Sequence, residues 1–279
     1  MSSDPAAGTM NNALVPAGLK PRGPVARPLS LLAKLLPYLY AAIGVIAVWW
    51  AVVLIAKPHV SLLPSPLSTA QTFIQLLTSG ELERDAAISL FRVLSAWSLA
   101  ALVAAPLGFA MGRWRRLERV LDPVVELFRP ISPLARIPLA ILWFGIDEGG
   151  KIFVIFIGTF FPILLNTIAG VKSIDPVLIS AGRILGCADD ATLFRKVVLP
   201  ASLRDVIVGL RISFGTGWAA IIAAELVAAR SGLGYLISNG MEVLRSDFVL
   251  VGMVTIGMLG VLFDSFFRLV DRRYNWMRE

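Results

Sequence analysis

Apolar residues run along this chain in long stretches separated by short polar connections. Six of these stretches reach the length of about 20 residues that a helix needs to cross a bilayer. They are Pro37 to Ala56, Leu90 to Met111, Leu121 to Ile146, Ile152 to Val171, Val206 to Ala229 and Phe248 to Val270. Pro123, Pro130, Pro133 and Pro138 interrupt the third, which is therefore expected as a short helix, a break and a second short helix. Between the fourth and fifth lies a half-polar stretch, Ser180 to Pro200, whose local signals predict two helices. Asp175 caps the first, Pro176 takes its first helical position and Gly186 stops it. Asp189 or Asp190 caps the second, which Pro200 is expected to end. In that second helix Leu193, Phe194, Val197 and Val198 follow helical spacing, while Arg195 and Lys196 point elsewhere, so the pair forms an amphipathic hairpin.

Composition agrees with the pattern: 57% of the 279 residues are hydrophobic, 16% are charged and the mean hydropathy is +0.76. A soluble domain carries roughly 25% charge, so this is an integral membrane protein. The net charge of +7 is topological when placed on the loops. The N-terminal arm holds Lys20, Arg22, Arg27 and Lys34, and the loop after the second stretch holds Arg113, Arg115, Arg116 and Arg119. Five more lie after the fourth stretch and four in the tail, seventeen in all, against five on the alternate loops. The bias puts both termini in the cytoplasm and argues against nucleic acid as a partner. Residues 1 to 30, rich in Pro, Gly, Ala and Ser, read as a disordered cytoplasmic arm, followed by a membrane domain over 31 to 279. The first apolar stretch reads as a span and not a cleaved signal, because it starts late and lacks a small-x-small site.

Cys187 and His59 are the only residues of their kinds, so the chain builds neither an internal disulfide nor a Cys/His metal cluster. Gly145 to Lys151 fits the phosphate-loop spacing G-x-x-x-x-G-K, but Ile152 follows where a magnesium-holding hydroxyl belongs. The segment also falls in a short turn on the outer side, so any ATP hydrolysis is assigned to a separate polypeptide. No nucleophile, base or metal constellation assembles, and no catalytic residue is assigned.

Ionisable groups inside spans are functional candidates by default. Here they are Arg92, Asp122, Glu126, Arg129, Arg136, Arg211, Glu225 and Asp264. Similar depth makes Arg211 and Asp264 a candidate pair, with separate snorkelling as the alternative. Arg136, in the broken span, is placed either to attract an anion in the path or to serve as an interhelical arginine. Glu225, near the outer end of the fifth span, is a candidate for an outer gate, a contact with a partner or a pair with Arg92. Gly108 with Gly112, and Gly215 with Gly217, are expected as close-packing surfaces.

The pattern Ser180-Ala181-Gly182, then Gly186, then Leu199-Pro200, with Gly209-Leu210-Arg211 beyond, resembles the EAA loop of ABC importer permeases. "LPSP" at 63 to 66, "LWFGIDE" at 142 to 148 and "AAEL" at 223 to 226 are similar to the binding-protein-dependent permeases for sulfonate, taurine, nitrate and bicarbonate. The resemblance implies an all-α inner-membrane protein whose last five spans form the MetI-like core, preceded by one extra helix. It implies that the loop over 172 to 205 is the coupling element, with Ser180, Ala181, Gly182, Gly186, Asp189, Phe194, Leu199 and Pro200 shaping its contact with the ATPase. It also implies a second permease copy, a cytoplasmic ATPase subunit holding ATP and magnesium, and an extracytoplasmic binding protein. Two positions depart from the family pattern: Ser180 replaces its usual Glu, with Gly182 for the second Ala, and Arg204 replaces a second Pro. Small organic sulfonates including taurine are the expected cargo, and nitrate or bicarbonate the alternative. A secondary transporter of another class would need carboxylates near the bilayer centre, whereas most acids here sit toward span ends.

Overall fold

A computed structural model describes residues 28–56, 59 and 62–275. Apart from Pro28 to Ser30, the expected arm over residues 1 to 30 lies outside this range. Among the described residues the chain is all-helical, without a strand. Helix α1 (Pro28–Ala56) is 29 residues long and begins nine residues before the first predicted span. The remainder from Trp50 on forms one compact unit.

Within that unit α2 (Pro66–Thr78) is a short helix the apolar pattern does not reveal. Its origin is local: the Ser65 hydroxyl accepts from the Ser68 N–H at 3.1 Å, and Pro66 takes the first helical position. Helix α3 (Glu81–Arg113) follows, then α4 (Arg115–Phe128), a 3₁₀ turn over Leu134–Arg136, and α5 (Ile137–Phe144). The third predicted span is thus broken, as its prolines require. The break falls at Pro130 to Pro133; Pro123 rides inside α4 and Pro138 starts α5. Eight residues of α5 reach only about 12 Å.

Helix α6 (Glu148–Lys172) leads to α7 (Pro176–Ile184), the four-residue α8 (Asp190–Leu193) and a π-helical turn over Phe194–Val198. Helix α9 (Leu199–Ala228), short α10 (Leu233–Glu242) and α11 (Ser246–Asn275) complete the order. Among the residues whose side chains are described, four helical stretches are long and apolar enough to cross a membrane: α3, α6, the run containing α9, and α11. The first predicted position lies within α1, and Leu134–Phe144 is the apolar stretch that follows the proline break at the third.

Helix α6 is the centre of the unit, flanked by α3 on one side and α9 on the other, its two most extensive contacts. Small residues permit the approach. A Cβ on Gly108 would lie 2.7 Å from Thr167 Cβ, and one on Gly112 would lie 2.7 Å from Val171 Cβ. Gly217 meets Thr159 in the same way, but Gly215 has nothing within 4 Å, so the expected second glycine surface reduces to Gly217 alone. An aromatic group, Trp97, Phe214, Trp218, Phe263 and Phe267, packs α3, α9 and α11 together. The Trp97 indole N–H donates to Ser213 Oγ at 2.9 Å, which satisfies its polar edge inside this cluster.

Candidate coupling hairpin and buried charge cluster

The hairpin between α6 and α9 is built from capping chemistry. Asp175 Oδ1 accepts from the Val177 N–H at 2.8 Å and starts α7. At its end Gly186 takes φ +97°, the Cys187 N–H donates to Gly182 O at 3.0 Å and the Gly186 N–H donates to Arg183 O at 3.4 Å. That left-handed glycine with nested 6→1 and 5→2 bonds closes a helix tightly. Asp189 Oδ2 then accepts from the Thr192 N–H at 2.7 Å and starts α8. Hydrogen bonding by the Thr192 side chain, and secondarily by its N–H, holds the Asp189 carboxyl below its ordinary range.

Pro200 does not end the second helix, contrary to the sequence expectation. It lies in the first turn of α9, and the chain reaches it through the π turn, where the Leu199 N–H donates to Phe194 O. A proline ring clashes with the carbonyl four residues earlier and offers no N–H of its own. Widening the preceding turn by one residue accommodates both, so α8 and α9 remain one helical path.

The hairpin is bolted to the membrane helices. Val171, Ile174 and Val198 form a buried cluster joined by Phe109, Ile179 and Ala201. Phe109 of α3 meets Phe194 edge-on at 5.2 Å, and Asp190 Oδ1 accepts from Arg113 at 3.3 Å and from Arg183 at 3.2 Å. Gly182 is buried because a Cβ there would lie 2.9 Å from Val197 Cγ2 and 3.1 Å from Leu193 Cδ1. Ala181 is half-buried, while Ser180 is exposed and donates back to Pro176 O at 3.0 Å. Around it Val177, Leu178, Ile184 and Leu185 stand outward, the last two 84% exposed. The outer surface of the hairpin is therefore apolar where its inner surface is anchored.

About 32 Å further along α3, at 1.5 Å per residue, a second cluster joins α3, α6, α9 and α10. Arg92 is 2% exposed and all five of its N–H groups are used. Nε and Nη2 donate to the two Glu148 oxygens, each at 2.6 Å. Nη1 donates to Glu225 Oε1 at 2.7 Å and to Ser231 O at 2.8 Å, and Nη2 also to Ser231 Oγ at 3.0 Å. Glu225, 1% exposed, further accepts from Ser89 Oγ and from the Gly234 N–H at 2.9 Å. Asp85 accepts from the Gly232 N–H at 2.9 Å. Gly232 has φ +110°, and a Cβ there would stand 2.4 Å from Glu225 Oε1. Only glycine lets the chain pass this carboxylate.

The phosphate-loop lookalike dissolves into this cluster. Lys151 is buried with Nζ 2.9 Å from Glu148 Oε1, and a Cβ on Gly150 would lie 3.1 Å from Gly145 O, so that glycine serves the α5–α6 turn. Among the described residues no group of three His, Cys, Asp or Glu is placed to hold a metal.

Of the remaining candidates, Arg211 and Asp264 do pair: Nε and Nη2 reach Oδ1 at 2.9 and 2.6 Å, and Arg268 takes Oδ2 at 2.7 Å. Arg136 is buried, donates to Phe128 O at 2.5 Å and lies 5.6 Å from the Phe161 ring centre. It thereby ties α5 back across the proline break. The Arg92–Glu225 contact was one of the readings open for Glu225. The role of Glu148 was missed, although the residue sits in a motif already singled out.

Residues 86–276 match the family model of binding-protein-dependent transport system inner membrane components. The chain belongs to that family. As an ABC importer permease it is a conduit and not an enzyme, and it works with an ATPase and a binding protein. A probable ABC transporter permease of Brucella abortus is 44% identical over 78% of this chain and 86% of its own. The taurine transport system permease TauC of Escherichia coli is 35% identical over 95% of both chains. The fold is that of a chain of the MetNI methionine ABC transporter in an inward-facing form, with a TM-score of 0.64 at 19% identity over 71% of this permease and 97% of that chain.

Proposed function

We propose that this permease forms, with a second copy of itself, the path for a small organic anion of the aliphatic sulfonate type such as taurine. The reading rests on the taurine permease, similar along nearly the whole length. In this reading an ATPase docks on the apolar outer surface of α7, around Val177, Leu178, Ile184 and Leu185. Ser180 turns its hydroxyl onto its own helix, so the contact relies on shape and apolar area where the family pattern carries a carboxylate. Closure of the two ATPases pushes α7 through Gly182, Phe194 and Asp190 against α3, α6 and α9. Gly186, Asp189, Leu199 and Pro200 keep the hairpin rigid enough to transmit that push, and Ala181 packs behind it.

The charge cluster at the other end then acts as the hinge post of an outer gate. Glu225 and Arg92 hold the loop before α10, Arg211 with Asp264 steadies α9 against α11, and Arg136 stiffens the broken span beside the path. Both termini face the cytoplasm, and the binding protein delivers cargo to the end that carries Arg92 and Glu148. Uptake of labelled taurine into liposomes holding the permease, its ATPase and its binding protein is the test. ATP-dependent uptake that alkanesulfonates inhibit is expected. Uptake that nitrate or bicarbonate inhibits instead assigns those anions, and uptake driven by an ion gradient without ATP removes the reading.

A further inference from the structure

Loop charge bias explains why basic residues gather where α3 ends, but not their arrangement around one hollow. Arg113, Trp114, Arg115, Arg116, Arg119 and Val120, with Leu117, line an open depression of about 700 Å³; an adjoining one shares Arg113, Arg115 and Arg119 with Glu118 and Asp122. Arg113 is shared with Asp190. Arg115, Arg116 and Arg119 form no ion pair among the described residues; Arg119 donates to the Arg115 carbonyl at 3.4 Å. Of the acids beside them on α4, Glu118 is held by Lys172, and Asp122 forms no ion pair with these arginines. Arg115, Arg116 and Arg119 therefore gather at one open, exposed surface without an ion-pair partner, and guanidinium groups are suited to a phosphate.

The rest of the helix says what carries that phosphate. Beyond the arginines α4 turns Val120, Val124 and Leu127 outward, 70%, 52% and 67% exposed, and Trp114 beside them is 60% exposed. The neighbouring face, Leu117, Leu121 and Val125, packs on the core. An outward apolar strip with an aromatic residue and arginines at one end matches the boundary between lipid headgroups and acyl chains. We propose that this hollow binds the headgroup phosphate of an anionic membrane lipid, whose chains run along Val120, Val124 and Leu127. The site is independent of the transported substrate. Its lipid would fix α4, and so the end of α3 that receives the hairpin through Phe109 and Arg113.

Nanodiscs of phosphatidylcholine titrated with phosphatidylglycerol, read by native mass spectrometry of the released permease, test it. The wild-type chain should retain phosphatidylglycerol over phosphatidylcholine. The triple variant Arg115→Gln, Arg116→Gln, Arg119→Gln should hold it about 100-fold less tightly, at about fivefold per arginine. The matching triple Lys variant should keep most of the binding. Equal retention by the Gln variant and the wild type overturns the proposal. So does displacement by inorganic phosphate at equal concentration, which marks a free-anion pocket, or a Gln variant that keeps its lipid and loses its ATPase, which marks a protein surface. Should the Gln variant fail to fold, the wild type alone decides: retention must weaken at high salt, and retention indifferent to salt overturns the site.

Discussion

Replacing Arg92 by Met removes five donors at once and leaves Glu225 as a carboxylate 1% exposed, with only Ser89 and the Gly234 N–H to serve it. Breaking a buried pair by deleting one partner costs about 3–5 kcal/mol, because the remaining charge is uncompensated. Glu148 gives the contrast. Its side chain is 58% exposed and Glu148→Gln keeps an oxygen for the buried Arg92 or Lys151, so the substitution should cost about 1 kcal/mol, less than Arg92→Met. At about 2–4 °C per kcal/mol for a domain of this size, Arg92→Met should melt about 10 °C below the wild type and Glu148→Gln within about 4 °C of it. Thermal unfolding of the purified permease in one detergent reads both. The double variant Arg92→Met, Glu225→Gln restores neutrality while keeping acceptors for Ser89 and Gly234, and should recover most of the loss. If Arg92→Met and Glu148→Gln melt alike, or the double variant melts lower than Arg92→Met alone, the cluster is not held by buried charge pairing.

Gly232→Ala places a methyl group 2.4 Å from Glu225 Oε1 at φ +110°, so the variant should fail to accumulate as folded permease, seen as loss of the monodisperse peak in size-exclusion chromatography. Single reversals Arg211→Glu and Asp264→Arg should each lower the melting temperature, and the double swap should recover it, because the pair at 2.6 Å is the contact both reversals break. Asp189 has a depressed carboxyl, so its cap on α8 is fully formed above the ordinary aspartate range and is lost only as pH falls through the lowered value. Amide exchange over 190–193 should therefore be equally protected at neutral and mildly acidic pH. Loss of protection above the ordinary aspartate range contradicts the assigned cap.

The long spans were legible because α3, α6, α9 and α11 bury apolar surface that a length count detects. The break in the third span was equally legible, since Pro130 and Pro133 remove donors where a rod would need them. So were the hairpin caps at Asp175, Gly186 and Asp189, and the shared depth of Arg211 and Asp264. Helices α2 and α10 escaped notice because thirteen and ten residues with local caps leave no spanning signal. Pro200 misled because the π turn that absorbs it is a choice of hydrogen-bond register, invisible in residue type. Glu148 escaped as the partner of Arg92 because 56 residues separate them, and only the packing of α3 on α6 brings them together.

In the proposed mechanism α7 receives force from a separate ATPase. Cys187 is the only cysteine, so Cys187→Ser with Ile184→Cys leaves one thiol at a position that is 84% exposed in the wild type. Cross-linking that thiol to the ATPase in inside-out vesicles, with and without ATP, measures the contact directly. A cross-link whose yield changes with nucleotide is predicted. A thiol that instead reacts with a membrane-impermeant maleimide from the outside of intact cells, and joins no ATPase, removes α7 as the element that receives the ATPase.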